Sequence, residues 1–234
     1  MKKAKQIILL MLLITSIYSC NNDDKESTYE STAIIRDFNS LQYPCHGFYI
    51  EIEGEETSKE VLILPNGVFE KLSKFPLPIC VNINWHETTC DNNSQNLIAI
   101  DSLEILNSTI ETTSLEAENN CINTLYQSDI DLSENYTIIR SQSAYDNLVT
   151  GSCQPQIDFS QYDLVIGKKG LPNGIISVDY QLFENCENQD LELQVQFNLN
   201  LTTVAPNVTY HRLIPKLGVE QNLIVEITMN QNQI

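Results

Sequence analysis

Residues 191–201 read LELQVQFNLNL, and this stretch decides the fold class. Every odd position is apolar and every even position is polar, which is the period of a β-strand with one buried face. Residues 176–182 and residues 223–229 alternate in the same way, with an apolar or aromatic residue at every second position. Several such strands in succession, joined by turn-rich loops, predict an antiparallel sheet that buries one face.

Upstream of these strands, the pattern predicts one short helix and further strands. Residues 136–139 and residues 164–166 are apolar runs typical of strands. Residues 143–149 suit a short helix, with Ser141 or Ser143 as its N-cap. We therefore expect residues 121–234 to form a β-rich C-terminal domain with one short helix.

The part of the chain that precedes these segments alternates less regularly. Residues 48–52 alternate, residues 97–105 are strand-like, and Pro-Asn-Gly at 65–67 predicts a turn. These features predict a barrel or sandwich of about five strands over residues 32–106. Residues 107–120 are rich in Ser, Thr and Glu without periodicity, which predicts a linker. The expected fold is mainly β to α+β, with two small antiparallel β domains.

The first twenty residues have the layout of a secretory signal that ends at a lipid-attachment site. Lysines at positions 2, 3 and 5 precede an apolar run at 7–14 that is too short to cross a bilayer stably. Ile-Tyr-Ser-Cys at 17–20 resembles a lipobox, in which the signal peptidase cuts before an acylated cysteine. We expect residues 1–19 to be a signal peptide and Cys20 to carry the lipid. An ordinary signal peptide, with Cys20 as an unrelated thiol, is the alternative.

Residues 20–31 are polar and acidic, and they are expected to tether the lipid flexibly to the folded part. The acyl chains of a lipidated Cys20 would anchor the protein to a membrane. Asn-Asn-Asp-Asp-Lys-Glu at 21–26 resembles the acidic export signal of Bacteroidetes lipoproteins. That resemblance implies display on the cell-surface side of the outer membrane, and a plain spacer that leaves the protein on the periplasmic face is the alternative.

The strongly acidic composition limits the partners. The formal net charge of −18 becomes −21 once the three lysines of the signal peptide are removed. Such a chain repels phosphate backbones, so nucleic acid is not expected as a partner. The nearest approach to a calcium site, Asp129 and Asp131 with Glu134, lacks the glycine and spacing of an EF-hand loop. We therefore expect no metal site and no cofactor.

Six cysteines remain besides Cys20, and their even number in an exported chain suggests disulfides. They are Cys45, Cys80, Cys90, Cys121, Cys153 and Cys186. Six cysteines allow 15 connectivities. Pairing within each predicted domain favours Cys45–Cys90 and Cys153–Cys186. Cys80–Cys121 is then the remaining pair. Free thiols are the alternative. The chain has no CxxC motif, and its histidines are not at metal-ligand spacing from the cysteines, so zinc and thioredoxin-like chemistry are not indicated.

No catalytic residue can be nominated from motifs. The chain has no Gly-x-Ser-x-Gly, no His-Glu-x-x-His and no phosphate-binding glycine loop. His211, beside Tyr210 and Arg212, is interpreted as part of a solvated strand face, and Trp85 as a core residue. Asp101-Ser102-Leu103 matches the short O-glycosylation pattern of Bacteroidetes, which makes Ser102 a candidate modification site.

Two stretches resemble known families. Cys-His-Gly-Phe-Tyr-Ile at 45–50, together with Leu64-Pro65, Phe69 and residues 98–106, resembles small β-barrel domains of uncharacterised Bacteroidetes lipoproteins. The order of features from 136 to 229 is similar to the C-terminal domain of protease-complex lipoproteins of the PrcB type. It includes Asp-Phe-Ser-Gln-Tyr-Asp-Leu-Val-Ile-Gly at 158–167 and Pro-Asn-Gly at 172–174, where that family more often has a Thr-Gly-Gly-Tyr-like loop. The second resemblance implies an accessory or stabilising role beside another protein, without a reaction of its own.

The expected function is that of a non-enzymatic cell-envelope lipoprotein that binds or stabilises a protein partner. The alternative is a surface lipoprotein that binds a carbohydrate or another small ligand. That alternative needs exposed aromatic side chains beside a groove, and the candidates are Trp85, Tyr145, Tyr162 and Tyr210. An enzyme of unfamiliar type is the third possibility, and the sequence nominates no residues for it.

Overall fold

The computed structural model describes residues 29–38, 47–90, 96–132 and 135–231. Over these ranges the chain is mainly β with short helices, as the alternating segments predict. Most strand pairs are antiparallel, as expected, and pairing is parallel in two places, between residues 191–199 and 223–231 and between residues 60–63 and 97–99. Within the described ranges, no helix has the length and apolar character needed to cross a membrane.

The N-terminal strands close into a five-stranded barrel. They are β1 (Ser31–Ile35), β2 (Phe48–Ile52), β3 (Lys59–Ile63), β4 (Ile79–Glu87) and β5 (Leu97–Ile105). Their order around the barrel is β1-β2-β3-β5-β4, with β4 pairing back to β1 and β3 parallel to β5. Helix α1 (Val68–Leu72) connects β3 to β4 and buries Leu72 against the barrel interior. This strand order, with a helix after the third strand, is that of the OB-fold, a five-stranded Greek-key barrel.

The alternation along β2 explains what fills the barrel. Phe48, Ile50 and Ile52 point inward and are buried, whereas the residues between them are exposed. Trp85 packs against this core from β4 and donates a hydrogen bond from Nε1 to the Ser31 hydroxyl at 3.2 Å. Trp85 therefore contributes to the core, as the sequence analysis predicts.

The remainder of the chain is built around two sheets. The four-stranded sheet has the order β14-β12-β11-β6 and the three-stranded sheet the order β13-β10-β8. Their strands are β6 (Thr109–Ile110), β8 (Tyr136–Ile139), β10 (Tyr162–Gly170), β11 (Ile175–Glu184), β12 (Leu191–Leu199), β13 (Asn207–Pro215) and β14 (Leu223–Gln231). After β12 the chain crosses to the other sheet as β13, and β14 returns parallel to β12 along all nine residue pairs.

The three-stranded sheet is covered on both faces. One face packs on the four-stranded sheet through a core that includes Val165, Phe197 and Tyr210. The other face, with Leu164 and Ile166, packs on a third layer of helices and a short two-stranded sheet. That layer contains α2 (Leu115–Asn119), α3 (Thr124–Gln127), β7 (Ser128–Ile130), α4 (Gln142–Leu148) and β9 (Val149–Gly151). Burial on both sides explains why residues 164–166 form a continuous apolar run.

The predicted helix is confirmed as α4, and the short helices α2 and α3 were not predicted. Helix α4 begins after Ser141, whose hydroxyl accepts a hydrogen bond from the Ala144 amide at 3.3 Å, so Ser141 is the N-cap. Helices α2 and α3 have only five and four residues, which is too short for an amphipathic period to show.

Residues 107–120, predicted as a linker, belong to the folded structure instead. Strand β6 pairs with β11, Thr113 pairs with Leu213, and the Leu115 side chain is fully buried in the third layer. The polar composition misled the prediction because a short edge strand and one buried leucine are enough to fix the segment.

The cysteine pairing also differs from the favoured one. Cys80 is bonded to Cys186, with the Cα atoms 6.2 Å apart, and Cys121 is bonded to Cys153, with the Cα atoms 5.6 Å apart. Neither Cys153–Cys186 nor Cys80–Cys121 forms. The favoured pairing assumed two independent domains, whereas the turn between β11 and β12 lies against the barrel and brings Cys186 to β4.

Two other cysteine predictions involve residues outside the described ranges. Cys90 is disulfide-bonded, but its favoured partner, Cys45, lies outside them. The proposed lipidation of Cys20, with the signal peptide and residues 21–28 of the tether, also lies outside them. These expectations stay predictions.

Candidate functional site

The barrel and the sheets meet at a junction held by several different contacts. Besides Cys80–Cys186, the Arg36 guanidinium after β1 donates to both carboxylate oxygens of Glu187, each at 3.0 Å. Phe75 of the barrel contacts Phe183 of β11 edge to face, with ring centroids 5.6 Å apart. A covalent bond, a bidentate ion pair and an aromatic pair therefore act at one junction.

Asn107 fixes the chain where it leaves the barrel for the sheets. Its side-chain oxygen accepts a hydrogen bond from the Cys80 amide at 2.7 Å, and its side-chain nitrogen donates to the Pro78 carbonyl at 3.1 Å. Asn107 is itself buried. The residue thus satisfies two backbone groups beside the disulfide, which an apolar side chain could not do.

A cleft of about 600 Å³ opens beside this junction, and we call it the junction cleft. Its wall includes Ile34 of β1 and Leu106 after β5, which is 44% exposed, with the Cys80–Cys186 disulfide at its edge. The residues that line it are Thr32, Ala33, Ile34, Glu51, Ile52, Glu53, Cys80, Leu106 and Cys186. Its volume and mainly apolar wall suit a small apolar molecule or an apolar side chain.

His211 lies in a buried polar cluster, so its interpretation as part of a solvated face is wrong. Its side chain is only 4% exposed, and its Nε2 lies 2.6 Å from the Thr124 hydroxyl. That hydroxyl donates to a Glu116 carboxylate oxygen. Because the hydroxyl has a single proton, His211 Nε2 is the donor to Thr124. Strand β13 is buried on both faces, which the sequence did not reveal.

The hydrogen bonds of this cluster determine the charge of Glu116. Burial raises the pKa of the Glu116 carboxyl, but hydrogen bonds from His211 and Thr124 outweigh burial and hold the pKa far below its ordinary value. The Tyr180 hydroxyl accepts from the His211 amide at 3.3 Å, and burial raises the pKa of Tyr180. Arg212 stacks over the Tyr180 ring, with the guanidinium carbon 5.2 Å from the ring centroid.

The cluster is built to connect structural layers. Glu116 and Thr124 lie on α2 and α3, whereas His211 lies on β13, so their bonds fasten the helical layer to the sheet. The Thr124 hydroxyl is buried and already bonded on both sides, and it is not available as a nucleophile. The cluster therefore contributes to the stability of the contact between the helical layer and the sheet.

The edge of the four-stranded sheet is its most open feature. Strand β14 pairs with β12 on one side only, and no described residue forms a strand on its other side. The Leu191 amide donates to the Asn222 carbonyl at 2.9 Å, which sets the alternation of the backbone groups along the strand. The N–H and C=O groups of Ile224 and Glu226 therefore face β12, and those of Val225, Ile227 and Met229 face outward.

Acidic side chains flank this edge. Strands β6, β11, β12 and β14 contain no lysine or arginine, whereas Glu192 and Glu226 lie on the outer face of neighbouring strands. Burial and the nearby charge of Glu226 together raise the pKa of Glu192, against a hydrogen bond from Gln194 that lowers it. The outer face of the edge is thus electronegative.

The aromatic candidates for a sugar platform do not lie together on the surface. Tyr145 and Tyr210 are fully buried, and their hydroxyls donate to the carbonyls of Cys153 and Asn135, each at 3.0 Å. Tyr162 packs against the core under the helical layer, and Trp85 packs against the barrel core. Neither pair supplies the exposed faces that stacking on a sugar needs.

The remaining candidates of the sequence analysis are located as follows. Ser102 lies on β5, where its hydroxyl accepts a hydrogen bond from Asn84 at 2.9 Å, and its glycosylation stays a prediction. Asp129 is paired with Lys168 at 2.6 Å, and this contact lowers the pKa of Asp129. Glu134 lies outside the described residues, and within them no group of three or more His, Cys, Asp or Glu side chains could hold a metal.

Sequence reasoning missed Asn107, the Glu116–Thr124–His211 cluster and the free edge of β14. The strand at β14 was predicted from its alternation, but a sequence pattern does not tell which side of a strand stays unpaired. Comparisons of the chain with protein-family models, with curated proteins and with solved structures found no match.

Proposed function

We propose that this chain is a non-enzymatic, lipid-anchored protein of the cell envelope that binds and stabilises a protein partner. The observation that carries the proposal is the free edge of β14, which is nine residues long and pairs with β12 in regular register. Unpaired N–H and C=O groups on such an edge are a template for another chain, and proteins that remain alone usually protect it. The resemblance of residues 136–229 to PrcB-type lipoproteins supports the same role.

The anchor and the tether define where binding would take place. A lipidated Cys20, followed by about ten polar residues before β1, would hold the folded part near the membrane, on the cell surface or on the periplasmic face. Anchoring of this kind raises the local concentration of a membrane-bound partner, so a modest intrinsic affinity would be sufficient.

The test is crosslinking in the native envelope. A photo-reactive amino acid at Asn230, on the outer face of β14, and the same group at Asp146 of α4 as control would be irradiated in intact cells and analysed by mass spectrometry. The proposal expects one abundant protein adduct from Asn230 that is absent from Asp146. No adduct from either position, with both versions lipidated and folded, would count against a protein partner.

A second candidate function is binding of a small apolar ligand in the junction cleft. It is favoured by the volume of about 600 Å³ and the exposed Leu106 side chain in its wall. Mass spectrometry of the protein purified from its own envelope under non-denaturing conditions should then show a bound molecule. The variant Leu106→Glu should lose that molecule, and the exposed Val219→Glu, which is distant in sequence from the cleft lining, should keep it.

A further inference from the structure

The chemistry of the β14 edge indicates what kind of segment would bind there. Leu223 is the first residue of β14 whose backbone groups face outward. Its carbonyl already accepts a hydrogen bond from the Tyr136 hydroxyl at 3.3 Å. The backbone groups of Val225, Ile227 and Met229 face away from β12, as the alternation from Asn222 requires, and no described residue forms a hydrogen bond with them. One extended chain segment would satisfy all of them together, since a strand presents donors and acceptors at the same spacing.

Strand β14 lacks the features by which proteins protect their edges. Its sequence is LIVEITMNQ, which contains no proline, glycine or lysine, and its register with β12 is regular over all nine pairs. Other edges differ: β6 has two residues, β8 has four, and β13 is covered in part by the pairing of Thr113 with Leu213. Short or covered strands are poor templates, so β14 is the favourable edge among the described strands.

The two faces of β14 differ in what they would accept. The side chains of Val225 and Ile227 are half-buried against the core between the sheets, and Met229 beyond them is 43% exposed. Apolar side chains of an added strand would lie beside Val225, Ile227 and Met229 and extend the apolar face of the sheet. On the outer face Glu226 is the only charged residue of β14, Glu192 lies on the adjacent strand, and these strands contain no basic residue.

We propose that β14 accepts an extended segment of the partner protein as an additional strand, and that this segment presents a lysine or arginine opposite Glu226. The proposal rests on the protein-binding function and specifies its mode and the chemistry of the partner. Backbone hydrogen bonds to β14 supply the affinity. The contact of the basic side chain with Glu226 supplies the preference for one segment over another. A second copy of this chain is disfavoured as occupant, because each copy without its signal peptide carries a formal net charge of −21 and offers no basic residue on this sheet.

The matched variants follow from the direction of the backbone groups. Met229→Pro removes one outward N–H without breaking the bonds to β12, and the partly exposed site limits the loss of packing. Met229→Thr keeps the N–H and is a good strand former, so it is the control. Glu226→Lys reverses the charge of the outer face. Equal circular dichroism spectra and urea midpoints would establish that all three variants fold.

The first arm measures binding of two nine-residue fluorescent peptides to the full-length lipidated protein by anisotropy. In one peptide valine alternates with threonine around a central lysine, and its twin has a central glutamate. We expect the lysine peptide to bind at least about tenfold more tightly than the twin, and Glu226→Lys to invert this preference. Met229→Pro should weaken binding by about tenfold or more and Met229→Thr by less than about twofold. Equal binding to the proline and threonine variants overturns strand addition.

The second arm repeats the crosslinking from Asn230 in the Met229→Pro and Met229→Thr backgrounds. Loss of the protein adduct only with proline supports the proposal. An adduct that persists with proline overturns strand addition while the protein-binding function stands. The absence of any adduct in every background contradicts the function itself, and an adduct with the mass of two copies of this chain overturns the choice of occupant.

Discussion

Cys80 in the fourth strand of the barrel is disulfide-bonded to Cys186 in the turn between β11 and β12, 106 residues later. Asn107 lies beside the same bond and holds the chain as it passes from one part to the other. The barrel and the sheets are therefore joined in two ways. The chain connects them directly after β5, and the disulfide connects two residues that are far apart in the sequence. Whatever binds to β14 is consequently held at a defined position relative to the barrel.

Removal of this disulfide should weaken the whole molecule. We expect the double variant Cys80→Ser/Cys186→Ser to lower the free energy of unfolding by about 2–4 kcal/mol, because the unfolded chain loses a long loop closure. Urea unfolding without reductant is the measurement. The Cys121→Ser/Cys153→Ser variant, which opens a loop with a sequence separation of 32, should show the smaller effect of loop entropy. An unchanged urea midpoint for the first variant would contradict a role for the junction in stability.

Asn107 should matter for a different reason, because it satisfies buried backbone groups. Asn107→Ala leaves the Cys80 amide and the Pro78 carbonyl without their partner, and we expect a loss of about 1–3 kcal/mol in the free energy of unfolding. Asn147→Ala, at an exposed position of α4, is the control and should change stability by less than about 0.5 kcal/mol. Equal urea midpoints for the two variants would show that water replaces the Asn107 side chain.

The Glu116 carboxylate should make stability fall in acid. Burial acts to raise its pKa, but hydrogen bonds from His211 and Thr124 lower it well below the ordinary 4.5, so the folded chain binds this proton less readily than the unfolded chain. Its stabilising contribution is therefore complete above about pH 4.5 and is lost progressively as the pH falls below that value. Urea midpoints measured at pH 6 and pH 3.5 should differ less for Glu116→Gln than for the native protein.

The control for this pH prediction is a carboxylate away from the cluster. Glu220→Gln removes one acidic residue from the exposed loop before β14 and should leave the difference between the two pH values close to that of the native protein. If Glu116→Gln and Glu220→Gln behave alike, the acid sensitivity comes from the general negative charge of the chain and not from the buried cluster.

The strands could be predicted from the sequence because burial of one sheet face imposes a period of two, as residues 191–201 show. The disulfide partners could not, since Cys186 reaches Cys80 only after the turn behind β11 packs on the barrel. Residues 107–120 resembled a linker because Leu115 is the only buried apolar residue in the segment, and one residue leaves no periodic pattern. His211 resembled a surface residue because its strand is covered on both faces, and in such a strand neither alternation nor residue type separates the solvated side from the buried side.

Gly167 and Gly170 lie three residues apart on β10, yet they should respond very differently to alanine. A Cβ atom on Gly167 would overlap the Tyr210 ring, which crosses over this position, and the carbonyl of Asn135, whereas a Cβ atom on Gly170 meets no atom within 4 Å. Because the Asn135 carbonyl is backbone and also accepts from the Tyr210 hydroxyl, neither neighbour can move away without breaking that bond. We expect Gly167→Ala to lower the free energy of unfolding by about 2–4 kcal/mol and Gly170→Ala to change it by less than about 0.5 kcal/mol. Urea unfolding of both variants is the measurement, and similar midpoints would mean that the close approach of the Tyr210 ring to Gly167, its neighbour within the same sheet, does not contribute to stability.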